Sequence, residues 1–577
     1  CVVGNPPWET LQLEDKQFFT AHGRDDIVNA KTAAIRRGMI EALDEEDPGL
    51  ARAYRAARRA SEGITHLVRG GRFPLTGQGK INTYSVFAET FRTIVGPDGA
   101  AGIITPTGLA TDNTTAPFFA DTLRAKRLLA FYDFENEAKI FPGVHNQFRF
   151  AITALSGSRW VANQTRLAFY TRFVEDVADR RFELAPDEVL AINPNTGTLP
   201  MFRTRADAEI TLGVYCRHPI LIHESGNRNP WDLTFSQGLF NMASDSNLFA
   251  QPDDLRNADF DGWAHHRGGV ELLPLYEAKL LGHFDHRFST YRGATQAQLN
   301  KGTLPRLTAA EHDDPDLEPL ARYWVASAEV RGRLAGRLAL PDETLDIPIG
   351  DGGSLREARG WLLGWRDIAR ASDARTFVPS VLPTAGTGNT FLLAILAKPE
   401  LGPLVHAAWS SLAFDYIARQ KISGTHLTYG IVKQLACPTP ATFAERAPWQ
   451  PSGSLADWVL PYVLELSYTS WRLRPYAREM GDDGPPFRWD PERRALLRAD
   501  LDAAFLHVYG LTRPEAEHVL DSFFVVAKYE QRDHGEYRTK RLVLDAYDRM
   551  AAAIGGGSWS PPADPPAGSG PRHRART

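Results

Sequence analysis

The chain opens on two valines that run into Gly4 and then, after Asn5, into consecutive prolines and a tryptophan. Proline has no amide hydrogen to give to a β-ladder and fixes its own φ. An apolar strand at Val2-Val3 therefore has to stop at Gly4, and Asn5-Pro6-Pro7-Trp8 leaves it on a stiff course. Downstream, a polar stretch rich in Arg and Ala reads as a helical excursion to about Gly71. Asn82 to Val95 then places Tyr84, Phe87, Phe91 and Ile94 at helical spacing, closed by Gly96-Pro97. Apolar runs at Ala100–Thr105, Leu128–Phe134 and Phe148–Leu155 read as strands, the last two joined across Phe141-Pro142-Gly143. Strand, helix, strand and a closing strand pair predict an α/β sheet over residues 1–160. The carboxyl ends of such strands are where an open α/β sheet places its ligand crevice.

The 577 residues are enough for about three or four domains in all, at roughly 150 residues each. Hydrophobic residues at 43% and charged residues at 23% exclude a disordered chain, a collagen or a coiled-coil rod. With 65 Lys and Arg against 70 Asp and Glu, bulk charge announces no polyanion, so a nucleic-acid surface has to be a local patch. Cys1, Cys216 and Cys437 form no paired motif, which fits a reducing cytoplasm better than a disulfide scaffold. The longest uncharged stretch, Thr376 to Ala397, is broken by two prolines and polar groups, so no membrane span is expected. There is no initiator Met, and Cys1 reads as a truncation point inside a strand.

From 197 to 445 the alternation becomes irregular and rich in aromatics, prolines and histidines, as expected of a mixed α+β recognition domain. Residues 455–553 read as helical: Asp490 caps a helix with Pro491 in its first turn, and Leu497, Leu501, Ala504, Phe505 and Val508 form one stripe ending at Gly510. The Gly/Pro/Ser-rich tail, 554–577, reads as disordered.

Asn5 to Trp8 carries the most specific chemistry. A ring-conjugated exocyclic amine becomes nucleophilic when acceptors draw on both of its N–H bonds. The Asn5 side-chain oxygen supplies one acceptor and the Pro6 carbonyl a second, with Pro7 stiffening the backbone that aims them. Trp8 offers a face on which an extruded base can stack, worth about 1–3 kcal/mol. Asn-Pro-Pro is equally a good turn initiator.

These residues resemble the motif of amino-methyltransferases acting on adenine N6 in DNA, Asn/Asp-Pro-Pro followed by an aromatic. The chain as a whole resembles large restriction-modification methylases of the Eco57I type. Matching stretches are Val3 to Trp8, Ile81 to Phe87, Gly102 to Pro106, Phe131-Tyr132-Asp133-Phe134 and Ile140-Phe141. In the second half they are Pro274 to Glu277, His283 to Phe288, Ala418 to Lys421, Gly424 to Leu427, and Gly535 to Lys540.

The resemblance implies the back half of a class I (Rossmann-like) methyltransferase sheet, a target-recognition domain and a helical C-terminal region. It implies S-adenosylmethionine as cofactor, bound by residues N-terminal to Cys1, and double-stranded DNA with a flipped adenine as partner, in a phage-defence setting. Asn5 and Pro6 would accept from the amine and Trp8 would stack. Phe148 would cover the other face of the base, and is equally readable as core. Two other readings remain: a DNA-specificity module without catalysis, and methylation of a glutamine or an RNA base.

Weaker signals lie downstream. Lys421 and His426, with Thr425, Arg366 and Arg419, are candidates for contacts to DNA phosphate or base edges. Val381 to Thr390 superficially resembles a strand entering a Gly-rich cofactor turn, although Pro383 spoils the strand end. Glu277-x-Lys279 matches only the end of a nuclease signature. His265, His266, His283 and His286 lack the spacing of a metal site, so no metal is expected.

Overall fold

The computed structural model describes residues 1–577 except Lys31, Gln147, 339–347, 350–352, 355–359, Ser423 and Thr577. It divides into two compact units, Cys1–Leu212 and Gly213–Thr577.

The first unit is built on a six-stranded sheet. Its strands are β1 (Val2–Gly4), β2 (Ala100–Pro106), β3 (Leu128–Glu135), β4 (Arg149–Ser156), β5 (Thr165–Thr171) and β6 (Phe182–Leu184), in the order β1-β2-β4-β3-β5-β6. β1 runs parallel to β2 and β5 parallel to β3, while β4 lies antiparallel between β2 and β3. The helical excursion is present as α1 (Ala33–Glu46) and α2 (Pro48–Leu67), and the helix before β2 is α3 (Thr83–Ile94). Asn82 caps α3, its side-chain oxygen accepting from Tyr84 N at 3.4 Å.

Two expectations need correction here. The sheet does not close at residue 160, because β5 and β6 extend it and the unit runs to Leu212. The α3 stripe is only half used: Tyr84 and Ala88 are buried, but Phe87 is 40% and Ile94 60% exposed. Among the described residues β1 is the edge strand of this sheet, and Val3 on it is 78% exposed.

The second unit joins what the sequence separates at 445–455. An antiparallel sheet is formed by β7 (Leu233–Ser236), β12 (Trp361–Arg366), β13 (Pro379–Pro383) and β15 (Phe391–Leu396), in the order β13-β12-β15-β7. A second sheet holds β8 (Asp259–Phe260), β9 (His265–Arg267), β10 (Val270–Tyr276) and β11 (Trp324–Ala326), with β14 (Gly386–Thr387) parallel to β10. Helices α4 (Gly402–Ser410) and α5 (Leu412–Arg419) pack against α6 (Leu455–Ser467) and α7 (Pro491–Val508) respectively. The helical region thus shares its core with the region that precedes it. Asp490 caps α7 as expected, accepting from Glu492 N and Arg493 N, and Leu497, Leu501, Ala504 and Phe505 are buried.

The tail from 554 is not disordered as its composition suggests, and the reason is polar anchoring. Arg572 pairs with Asp482 at 2.8 Å and stacks on Phe487, Arg493 donates to the Pro565 carbonyl at 2.6 Å, and Glu465 accepts from Gly568 N at 2.9 Å. Low apolar content argues against self-folding but does not prevent docking on a formed surface.

Asp500, on α7, yields a pH prediction. Burial pushes its carboxyl up to about 7, and Arg549 at 3.8 Å and the Tyr462 hydroxyl at 3.3 Å pull it back only in part. A folded pKa above the unfolded value of about 3.9 gives stability that is complete below that pH and lost as pH rises through 7. Asp500→Asn is therefore expected to add a few kcal/mol at pH 8 and almost nothing at pH 4, since each tenfold change in proton affinity is worth about 1.4 kcal/mol. Urea melts showing the same gain at both pH values would contradict it.

Candidate base-holding site

The Asn5–Trp8 tetrapeptide lies at the carboxyl end of β1, on the protein surface. Gly4 is required there by close approach: a Cβ on it would come within 2.9 Å of Phe91 Cζ on α3. Asn5 and Pro7 are exposed, Pro6 is buried and Trp8 is half-buried. Among the described residues neither the Asn5 side chain nor the Pro6 carbonyl is engaged in a hydrogen bond. Both acceptors are therefore unengaged, Asn5 at an exposed position and Pro6 at a buried one. The Trp8 indole N–H is shut from solvent and unpartnered, so what this ring presents to the outside is hydrocarbon face.

The backbone beyond Pro6 is held by Thr83, the first residue of α3. Its hydroxyl donates to the Pro7 carbonyl at 2.6 Å and accepts from Glu9 N at 2.9 Å, while Thr83 N donates to Glu9 O at 2.8 Å. Leu11 N to Ile81 O, 3.1 Å, extends the same strap. The sequence reading missed this role, although Thr83 stood inside a matching stretch, Ile81 to Phe87. Thr83→Val, which keeps the shape and removes the hydroxyl, is expected to lower the turnover of any reaction at Asn5 by about tenfold with little change in melting temperature, since small misplacements are costly in rate. Unchanged turnover would deny Thr83 its positioning role.

Phe148 lies on the same edge of the sheet. Gly4 is opposite Ile103 and Phe150 is opposite Pro106, so β4 enters at the end where β1 leaves. Phe148 is 56% exposed, which removes the core reading. Asn136, fully buried, braces the loop before it. Its amide donates to the carbonyls of Phe141 at 3.0 Å and Val144 at 2.9 Å and accepts from Phe141 N at 3.0 Å, and its backbone N–H donates to Phe148 O at 3.1 Å. Phe141 then packs edge-on against Phe150, with ring centroids 4.8 Å apart.

Asp133 pins the strand ends together below this edge. It is buried on β3 and accepts from the Thr107 hydroxyl at 2.6 Å, from Tyr170 N at 3.0 Å and from the Arg149 guanidinium. Burial opposes the Arg149 charge, but Asp133 and Tyr170 outweigh it and hold the Arg149 pKa above its usual value. The motif Phe131-Tyr132-Asp133-Phe134 is thus explained by architecture.

The downstream candidates mostly turn inward. Lys421 is not free for DNA: its ammonium donates to the Gln434 carbonyl at 2.8 Å, lies 4.4 Å from the Tyr215 ring centre, and is pushed well below the normal lysine pKa by burial. Arg419 is spent on Asp415 and on the carbonyls of Ala371, Asp373 and Ala374. His426 stays exposed, with Asp367 at 2.7 Å. The turn at Gly386–Gly388 does not fit S-adenosylmethionine. It leads into strand β15 instead of a helix, and a Cβ on Gly386 would lie 2.8 Å from Leu275 and Val325 side-chain atoms. Glu277 accepts from Tyr291 and pairs with Lys279 at 3.3 Å. Among the described residues no three of His, Cys, Asp and Glu gather as a metal-holding group, and no helix is long and apolar enough to cross a membrane.

No family model matches the chain, and no curated protein does. Solved structures of restriction-modification enzymes are similar to it at low identity. The type IIL enzyme MmeI in complex with DNA is 10% identical over 92% of this chain and 57% of its own, with a TM-score of 0.34. The type IIG restriction endonuclease BpuSI is 12% identical over 78% and 51%, TM-score 0.26. A nuclease-deletion mutant of the type ISP enzyme LlaGI with a DNA substrate mimic is 11% identical over 74% and 33%, TM-score 0.30. The chain spans between a third and somewhat over half the length of these enzymes.

Proposed function

We propose that this chain holds a target adenine and recognises duplex DNA within a restriction-modification enzyme that methylates adenine N6. One observation carries the reading: among the described residues two unengaged acceptors, the Asn5 side-chain oxygen and the Pro6 carbonyl, immediately precede the half-buried Trp8 at the carboxyl end of a parallel strand.

In this reading the acceptors take the two amine hydrogens, drawing the nitrogen out of conjugation with the ring and aligning dipoles with the positive charge that develops on it. Trp8 and the exposed Phe148 contribute apolar faces for a base taken out of the stack. The Asn136 brace and the Thr83 strap fix those groups in advance of binding. S-adenosylmethionine is the donor this chemistry calls for, and the one Gly-rich turn tested for it is filled by packing, so the reading rests on base holding.

The test supplies tritiated S-adenosylmethionine and duplex DNA to the polypeptide that carries this chain, then digests the DNA to nucleosides. Label in N6-methyladenine is the expected result. Label in cytosine, in RNA or in protein glutamine would overturn the substrate, and no transfer with intact duplex binding would favour a specificity module.

A further inference from the structure

The second unit contains a cationic site that the base-holding reading does not use. Between His286 and Ala310 there is no Asp or Glu, while Arg292, Lys301 and Arg306 all fall in this stretch and all are exposed. Arg306 lies over the Phe288 ring at 4.8 Å, and Arg366, from the end of β12, lies over the same ring at 5.4 Å. The ring can take this position because residue 282 is glycine, where a Cβ would come 2.8 Å from Phe288 Cδ2.

Two guanidiniums thus share one phenyl group. Among the described residues none of Arg292, Lys301, Arg306 and Arg366 forms an ion pair. The Arg366 Nε is shut from solvent without a partner. Asp285 and Asp373 favour the Arg366 charge from a distance, but neither bonds it: Asp285 accepts from His312 and Arg287 N, and Asp373 from Arg370 N. Burial, and then repulsion from Arg306, push the Arg366 pKa down to about 10. Like charges on one aromatic ring, with no carboxylate bonded to either, are an arrangement that an anion between them would relieve.

We infer that Arg306 and Arg366 on Phe288, flanked by Arg292 and Lys301, form a contact for the backbone phosphates of duplex DNA. The inference rests on the reading above that this chain acts on DNA. Arginine forks match phosphate oxygens, and an acid-free cationic stretch supplies the sequence-independent part of binding. It also locates the local patch that a net charge of −5 conceals.

The test is anisotropy of a fluorescein-labelled duplex with the full chain between about 50 and 200 mM salt. Each phosphate contact removed should flatten the log–log salt slope by about 0.9. Arg306→Gln, at an exposed position, is expected to show one such step, and Arg306→Gln with Arg366→Gln about two, equally on unrelated duplex sequences. Arg366→Lys should keep the slope, which separates charge from folding. An unchanged slope in Arg306→Gln and in the double variant, with the wild-type chain binding duplex, would overturn this contact and leave the DNA reading standing. Failure of the wild-type chain to bind duplex in a salt-dependent way would overturn both. Inorganic phosphate raising the wild-type melting temperature while duplex slopes stay unchanged in the variants would mark a small-anion site and overturn the backbone contact.

Discussion

Asn5→Ala is expected to cut methyl transfer to duplex DNA by about 10²–10³-fold while leaving duplex affinity within about twofold. The magnitude follows from removing one preorganised dipole aimed at developing charge. On the proposed function the affinity is spared because phosphate contacts elsewhere would supply most of binding. The structure makes this a clean substitution, since the Asn5 side chain is exposed and among the described residues has no hydrogen bond to lose. Asn5→Asp keeps an acceptor in place and should retain much of the turnover. If Asn5→Ala instead transfers methyl groups at the wild-type rate, the amide holds no amine and the tetrapeptide is a turn.

The second large effect concerns stability. Arg287 is fully buried and its guanidinium donates to four carbonyls: Asp314 at 2.7 Å, Leu317 at 3.0 Å, His312 at 2.6 Å and Thr469 at 2.9 Å. It ties the loop before β11 to the turn after α6. Arg287→Met preserves bulk and strands those carbonyls, each at a cost of about 1 kcal/mol or more, so a loss of about 4 kcal/mol is expected. Tryptophan fluorescence in a urea titration is the natural readout, because all but Trp8 and Trp160 of the 13 tryptophans lie in the second unit. By contrast Arg58→Ala, which removes an exposed pair with Glu62 at 2.9 Å, should cost no more than about 0.5 kcal/mol. A loss of under about 1 kcal/mol for Arg287→Met would mean that water replaces the guanidinium without penalty.

Which features were legible in the sequence follows from how local their causes are. The stop after Gly4 and the Asp490 cap are set by residues adjacent in sequence or one turn apart, and the structure has them where patterning puts them; the α7 stripe is buried from Leu497 to Phe505, while Val508 at its end is only half-buried. The exposure of Phe148 was not legible. An aromatic at the start of an apolar strand reads as core, and only the Asn136 brace, reaching forward to residues 141 and 144, lifts it to the surface. Lys421 misled for the opposite reason, because a long aliphatic stem lets a charged head thread inward to a carbonyl that sequence cannot show. The separate helical domain failed because Arg287, Arg494 and Ser470 bind across the supposed boundary, and such long-range polar ties leave no periodic trace.

The margin of the first sheet has a consequence for handling this protein. An unpaired strand rim is a template on which other polypeptides can zip, and long, flat rims seed aggregates. Beyond Gly4 this rim runs into two imino acids that carry no amide hydrogen. The two prolines that stiffen the Asn5–Trp8 segment also deny an intruding strand its rungs past Gly4.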